Sequence, residues 1–496
     1  DKMRPGMILF SVVVLFLCAG ILTPKEMLEG FSNKGMITVA LLFLVSEGIR
    51  QSGTLGQVIK KLLPQGKTTV FKAQLRILPS VAFISAFLNN TPVVVIFAPI
   101  IKHWAKSVNL PATKFLIPLS YVTILGGICT LIGTSTNLVV HGMILEAGFE
   151  GFSMFELGKV GIFIAIAGII YIFLFSKRLL PDARPDTAVP DEEIEEGEKF
   201  HRVEAVLGAR FPGINKKLKD FNFQRHYGAE VKEIKTRNGQ RFVTNLDDVV
   251  LHEGDTLVVM ADDTFIPTWG ESSVFVLLTN GNEPDTSGKK KRWFALLLLV
   301  LMIVGATVGE LPVTKEMFPD IKLDMFFFVS ITTIIMAWTN LFPARKYTKY
   351  ISWDILITIA CAFAISKAMV NSGVADSVAK FIIGLSDDYG PHVLLAMVFI
   401  ITNLFTELIT NNAAAALAFP LALSISAQLG VSPTPFFVVI CMAASASFST
   451  PIGYQTNLIV QGIGNYKFTD FVRIGLPLNI ITFLISVILI PLIWNF

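Results

Sequence analysis

Four short polar motifs stand out in this chain because each interrupts an apolar stretch. Leu88-Asn89-Asn90-Thr91-Pro92 divides residues 75–101, and Ile409-Thr410-Asn411-Asn412-Ala413 divides 393–423. Gly133-Thr134-Ser135-Thr136-Asn137 and Gly453-Tyr454-Gln455-Thr456-Asn457 break two more apolar segments, 114–144 and 433–464. Hydroxyls, Asn carbonyls and unwound backbone offer neutral oxygens, the ligands a hard cation takes. The N–H groups of carboxamides and the N-termini of half-helices can meet an anion instead. No Lys or Arg lies near any of the four motifs in sequence. No His-Glu-x-x-His and no paired acid/base constellation lies within the apolar segments, which argues against an enzyme.

The elements that must carry these motifs follow from composition. Hydrophobic residues make up 53% of the chain and charged residues 16%, against roughly 25% charge in soluble domains. A bilayer crossing needs about 20 mostly apolar residues. Candidates are 7–23, 34–50, the broken 114–144, 158–178, 293–309, 323–342, 353–370, the broken 433–464, and 475–495. No small-residue cleavage site follows Gly20, so the run 7–23 is expected to be a membrane helix rather than a signal peptide. A polar break cannot face lipid, where each unpaired backbone group costs several kcal/mol. Segments 75–101 and 393–423 are therefore predicted to be re-entrant helical hairpins. Lys and Arg fall consistently on one side, which places the N-terminus and residues 200–285 in the cytoplasm. The net charge of +3 gives no reason to expect nucleic acid. Cys18, Cys129, Cys361 and Cys441 lie inside apolar segments without pairing or metal-ligand spacing.

The chain repeats itself. Asn89-Asn90-Thr91 and the apolar run to Pro99 match Thr410-Asn411-Asn412 and the run to Pro420. Residues 133–142 match 453–462, and Phe152-Ser153-Met154-Phe155-Glu156 is echoed by Phe468-Thr469-Asp470-Phe471. With an extra helix at 293–309, the span count gives the two halves opposite orientation. Inverted repeats with discontinuous helices are the plan of secondary transporters, whose site lies between the halves. One Thr or Asn in a membrane helix can be interhelical glue. Clusters at four breaks with matched partners are harder to explain that way. The predicted fold is an all-α polytopic membrane protein of two inverted repeats, with re-entrant hairpins, broken helices and a small α+β insert. Its parts are 1–181, a first transmembrane repeat; 182–199, an acidic linker; 200–285, the insert; and 286–496, the extra helix plus the second repeat.

In the insert, Glu230 to Lys235 and Asp255 to Met260 alternate as strands do. Asn238-Gly239 signals a hairpin turn, and a helix is expected over Lys216 to Gln224. Gly288-Lys289 does not have phosphate-loop spacing, and His201, His226 and His252 have no metal spacing.

The paired motifs resemble those of the divalent anion:sodium symporters, in particular the branch of algal and bacterial sulfate permeases. Ser85 to Val94 and Leu125 to Asn137 carry the likeness nearly residue for residue. The insert resembles the regulatory TrkA-C domain at Tyr227 to Val231 and Glu253 to Leu257. The family's tips usually read Ser-Asn-Thr, and both tips here depart from that by at least one residue. The resemblance implies a sodium ion beside each tip. Ser85, Asn90, Thr130, Gly133 and Asn137 would hold one, and Thr406, Asn411, Thr450, Gly453 and Asn457 the other. It implies substrate contacts from Asn89, Asn90, Thr91, Thr134, Ser135, Thr410, Asn411, Asn412, Tyr454 and Gln455. The implied activity is sodium-coupled uptake of sulfate by a homodimer with an elevator motion in a bacterial inner membrane. A cytoplasmic small molecule would act on the insert. A C4-dicarboxylate is the alternative substrate. An anion sensor and an ion channel are further alternatives, though Ile452-Gly453-Tyr454-Gln455 imitates a potassium filter poorly.

Overall fold

The computed structural model describes residues 5–182, 200–208, 210–236, 240–262, 265, 269, 274–279, 289–318, 321–384 and 390–496. The first repeat contains α1 (Pro5–Cys18), α2 (Lys34–Gln51), α3 (Thr54–Leu62), α4 (Val70–Ser85), α5 (Asn90–Ser107), α6 (Leu116–Gly127), α7 (Ser135–Glu146) and α8 (Gly158–Leu179). After the insert comes the extra helix α9 (Lys289–Gly309). The second repeat follows the first element by element: α10 (Met325–Trp338), α11 (Trp353–Asn371), α12 (Val374–Gly384), α13 (Gly390–Leu408), α14 (Asn411–Leu429), α15 (Thr434–Ser445), α16 (Gln455–Gly464) and α17 (Phe468–Ile493). Among the described residues, seven helices are long and apolar enough to cross a membrane, with shorter apolar helices beside them. The polar breaks end helices where expected: α4 gives way to α5, and α13 to α14, at the two Asn motifs.

Local chemistry sets these boundaries. The Asn33 carboxamide caps α2 by accepting from the Gly35 backbone N–H at 2.8 Å. The Thr69 hydroxyl caps α4 through the Lys72 N–H at 3.3 Å. Gly53 separates α2 from α3 with φ of +70°, and Gly373 separates α11 from α12 with φ of +71°. Glycine reaches that left-handed region without a Cβ penalty. The stretches read from the sequence as plain connections thus hold amphipathic helices. In α3, Leu55 and Ile59 are buried while Lys60 and Lys61 are exposed.

The halves interlock reciprocally. α1 packs on α11 and α10 on α2, while α8 lies along α17. Each hairpin leans on the first part of its own broken helix (α4 on α6, α13 on α15). Each also reaches the second part of the other half's broken helix (α5 on α16, α14 on α7). The approach of α4 to α6 is so close that a Cβ on Gly126 would stand 2.0 Å from the Ala82 carbonyl oxygen.

The insert forms an antiparallel five-stranded sheet in the order β3-β2-β4-β1-β5. The strands are β1 (Phe200–Leu207), β2 (Glu230–Lys235), β3 (Arg241–Phe242), β4 (Thr256–Asp262) and β5 (Phe275–Thr279). Phe211, Phe221, Phe223, Tyr227 and Phe275 fill its core. In place of a helix over Lys216 to Gln224 there is a 3-10 turn at Leu218–Asp220 and a short helix at Phe223–Tyr227. Asn238-Gly239 and linker residues 183–199 lie outside the described residues. The sheet rests on α5 and α16. Lys102 Nζ of α5 donates to both Glu204 carboxylate oxygens, at 2.9 and 3.0 Å. On α16, a Cβ at Gly462 would lie 2.7 Å from Thr256 Oγ1.

Candidate binding site

At the first tip, the end of α4 and the start of α5 bring Ser85 and Asn90 together, both almost fully buried. The inward end of the Asn90 carboxamide lies 2.8 Å from Ser85 Oγ, and its outward end lies 2.6 Å from the Tyr454 hydroxyl. The inward end of the same carboxamide lies 3.0 Å from the Thr123 carbonyl oxygen and 3.2 Å from that of Gly133. Three neutral oxygens, the Ser85 hydroxyl and the Thr123 and Gly133 carbonyls, therefore surround the inward end of the Asn90 carboxamide. The loop between α6 and α7 is braced behind them. Thr130 Oγ1 donates to the Ala86 carbonyl and accepts from the Gly133 N–H, and Asn137 Nδ2 donates to the Thr130 carbonyl at 2.9 Å.

The second tip repeats the arrangement. Thr406 Oγ1 lies 2.7 Å from Asn411 Oδ1 and 2.6 Å from the Ala444 carbonyl oxygen. Thr450 Oγ1 donates to the Glu407 carbonyl and accepts from the Gly453 N–H, while Asn457 Nδ2 donates to the Ser447 and Thr450 carbonyls. Gly453 packs so tightly that a Cβ there would meet Ser447 Oγ at 1.9 Å. One difference is chemical. Glu407 stands where the first half has Ala86, and its carboxylate accepts from the Ser449 N–H at 2.9 Å and Asn479 Nδ2 at 2.8 Å.

Between the tips the two halves bond directly. Thr91 Oγ1 donates to Gln455 Oε1 at 3.3 Å. Ser135 Oγ and Thr136 Oγ1 both donate to Asn412 Oδ1 at 3.2 Å. Thr134 Oγ1 lies 3.0 Å from the Tyr454 hydroxyl, which the Asn411 side chain also approaches. Asn89 caps α5 by accepting from the Thr91 N–H, and with Ser135 it lines a crevice that includes Ser46 and Met302. Thr410 is the exposed N-cap residue of α14. The N-termini of α5, α7, α14 and α16 thus point into one small region. No charged side chain takes part in these contacts between the halves.

The structure places Ser85, Asn90 and Gly133 around one oxygen cluster, and Thr406 with Asn411 at its counterpart. Thr130, Asn137, Thr450 and Asn457 sit in the bracing layer, holding the unwound loops. Sequence reasoning missed the carbonyls of Thr123 and Ala444, which carry no side-chain signal. It also missed Thr136, although that residue matches Thr456 in the repeated motif. Ser447 and Glu407 were missed as well.

Comparison with known proteins bears on the whole chain. A family model described as a citrate transporter matches residues 1–424 and again 321–496. Over 98% of its length the chain is 30% identical to an uncharacterized transporter of Synechocystis sp., covering 93% of that protein. It is 28% identical to a putative sulfur deprivation response regulator of Chlamydomonas reinhardtii, over 97% of the chain and 96% of the relative. It is 23% identical to a probable sodium/sulfate cotransporter 3 of the same organism, over 95% of the chain and 84% of the relative. With matches of this extent and apolar helices of membrane-spanning length, the chain is an integral membrane transporter and belongs to the citrate transporter (CitMHS) family.

Proposed function

We propose that this transporter carries sulfate into the cell, coupled to sodium, by alternating access of a site held between the two hairpin tips. The observation that carries the reading is the convergence of four half-helix N-termini, bridged across the halves by Thr91–Gln455 and Ser135–Asn412. Each N-terminus bears about half a positive charge, and together with amide and hydroxyl donors they suit a compact dianion. The cross-half bonds keep the space small, which favours a tetrahedral oxyanion over a longer dicarboxylate. The relative named for sodium/sulfate cotransport agrees with that choice. The two oxygen clusters fit sodium as co-transported cargo, since neutral hydroxyl, carboxamide and unwound carbonyl oxygens are the donors such sites use. Ser85, Asn90, Gly133 and the Thr123 carbonyl would hold one ion, and Thr406, Asn411 and the Ala444 carbonyl the other.

In this reading the hairpins and broken helices move as one body against a scaffold of α1, α9 and α10, an elevator motion in a homodimer. The N-terminus and the insert face the cytoplasm of a bacterial inner membrane, and the insert acts as a TrkA-C-type domain that answers a cytoplasmic small molecule. The family's description favours a second reading, a citrate or C4-dicarboxylate carrier. Labelled-sulfate uptake into proteoliposomes, with and without an inward sodium gradient, decides between them. Sodium-driven uptake competed by molybdate but not by succinate or citrate is expected. Uptake that ignores the gradient, or that succinate competes away, overturns the assignment.

A further inference from the structure

The Asn90 carboxamide stands between the first oxygen cluster and Tyr454, and its two ends have opposite hydrogen-bonding character. Its inward end meets Ser85 Oγ at 2.8 Å, Thr123 O at 3.0 Å and Gly133 O at 3.2 Å, while its outward end meets the Tyr454 hydroxyl at 2.6 Å. Two of the inward neighbours are backbone carbonyls, which can only accept. Without a cation among these oxygens, the favourable orientation turns Nδ2 inward as their donor. Asn90 Oδ1 then faces Tyr454 and takes the phenol's hydrogen. A cation reverses both preferences, because it repels an N–H and requires Oδ1 inward. Nδ2 then points at Tyr454, and the phenol oxygen must accept.

A phenol has one hydrogen to give. Asn411 also approaches the phenol, but its Oδ1 faces Thr406 Oγ1 and its amide N–H is a donor, so the hydrogen released from Asn90 turns toward Thr134 Oγ1, 3.0 Å away at the N-terminus of α7, or toward the space between the tips. If Thr134 accepts it, the Thr134 hydroxyl hydrogen becomes free in turn. Either way, one donor is added where the four helix N-termini meet. The second half has no copy of this device, because the residue matching Tyr454 in the other repeat is Thr134.

Resting on the sodium-coupled reading above, we propose that the Asn90–Tyr454 pair is the link between the first cation pocket and the anion site. Cation occupancy turns the amide, and the freed phenol hydrogen then raises anion affinity. By linkage, the anion must tighten cation binding by the same factor. A hydrogen bond donated to a charged acceptor makes the expected factor roughly tenfold to a hundredfold.

The test is sulfate binding to purified full-length protein by calorimetry, at low and at saturating sodium, for wild type, Y454F and Y454T. Y454F lacks the hydroxyl, and Y454T copies the matching residue with a hydroxyl too short to reach Asn90. Sodium should tighten sulfate binding strongly in the wild type. The gain from sodium should be at least about tenfold smaller in both variants, whatever their affinity at low sodium. Equal sodium-dependent gains in wild type and in whichever variant folds overturn the link and leave the transport reading standing. A wild type whose sulfate affinity ignores sodium overturns the sodium-coupled reading itself.

Discussion

Asn90 and Asn411 do the same work in the two halves. Each starts a helix, each carboxamide meets a hydroxyl five residues earlier, and each lies beside the Tyr454 hydroxyl. Replacing either with Ala removes a ligand of the proposed cation sites and a polar contact at the tip together. Both N90A and N411A are expected to insert and fold but to lose uptake by at least about a hundredfold, since two polar contacts of roughly 1.5–3 kcal/mol each go at once. Near wild-type uptake with unchanged sodium dependence in either variant would sink the assignment of that tip. The halves are not chemically equal at this scale. Glu407 ties α13 to the unwound loop and to α17, a tie that Ala86 cannot make.

At the scale of elements, much of the plan was legible. Polar breaks inside apolar stretches located both hairpins and both broken helices, because backbone in lipid must be satisfied within the protein. What stayed hidden was set by packing rather than by pattern. α3 and α12 are short and follow a left-handed glycine, so they read as connections; the repeated Ser52-Gly53 and Ser372-Gly373 were the signal that they exist. The helix expected over Lys216 to Gln224 gave way to turns that bring Phe221 and Phe223 into the aromatic core of the sheet. Carbonyls that join the oxygen clusters are invisible to any side-chain reading. Close helix approach was equally unreadable, and it is testable at Gly126. A side chain there meets backbone of α4, so G126L is expected to destabilise the protein by about 1–3 kcal/mol or more. Thermal unfolding in detergent measures this. A midpoint unchanged from wild type would mean that α4 and α6 separate freely.

Across the whole molecule, the sheet domain sits on the far ends of two helices that begin at the site. Lys102 lies twelve residues beyond Asn90 on α5, about 18 Å along the axis, and Gly462 lies seven residues beyond Gln455 on α16, about 10 Å. A domain that grips this pair is mechanically joined to the tips, so its grip should act on rate more than on affinity. K102A and E204A are each expected to change the maximal uptake rate severalfold with little change in half-saturation, and the double variant to add little to either, since Glu204 also pairs with Lys235 at 3.4 Å. Single variants with the wild-type rate would reduce the contact to a tether. The bonds between the halves also have a consequence in time. The Asn90–Tyr454 pair joins residues 364 positions apart, so a ribosome making about 5–20 residues per second needs roughly 20 to 70 s to supply the partner. A first half inserted ahead of the second would have to wait through that interval with its polar tip already made. Ser85–Asn90, Thr130–Ala86 and Asn137–Thr130 are all closed within that half, so it can wait without exposing these groups to lipid. On the proposed function, the inner ring of the first repeat would thus serve biogenesis as well as binding, keeping half a site quiet until its other half has been translated.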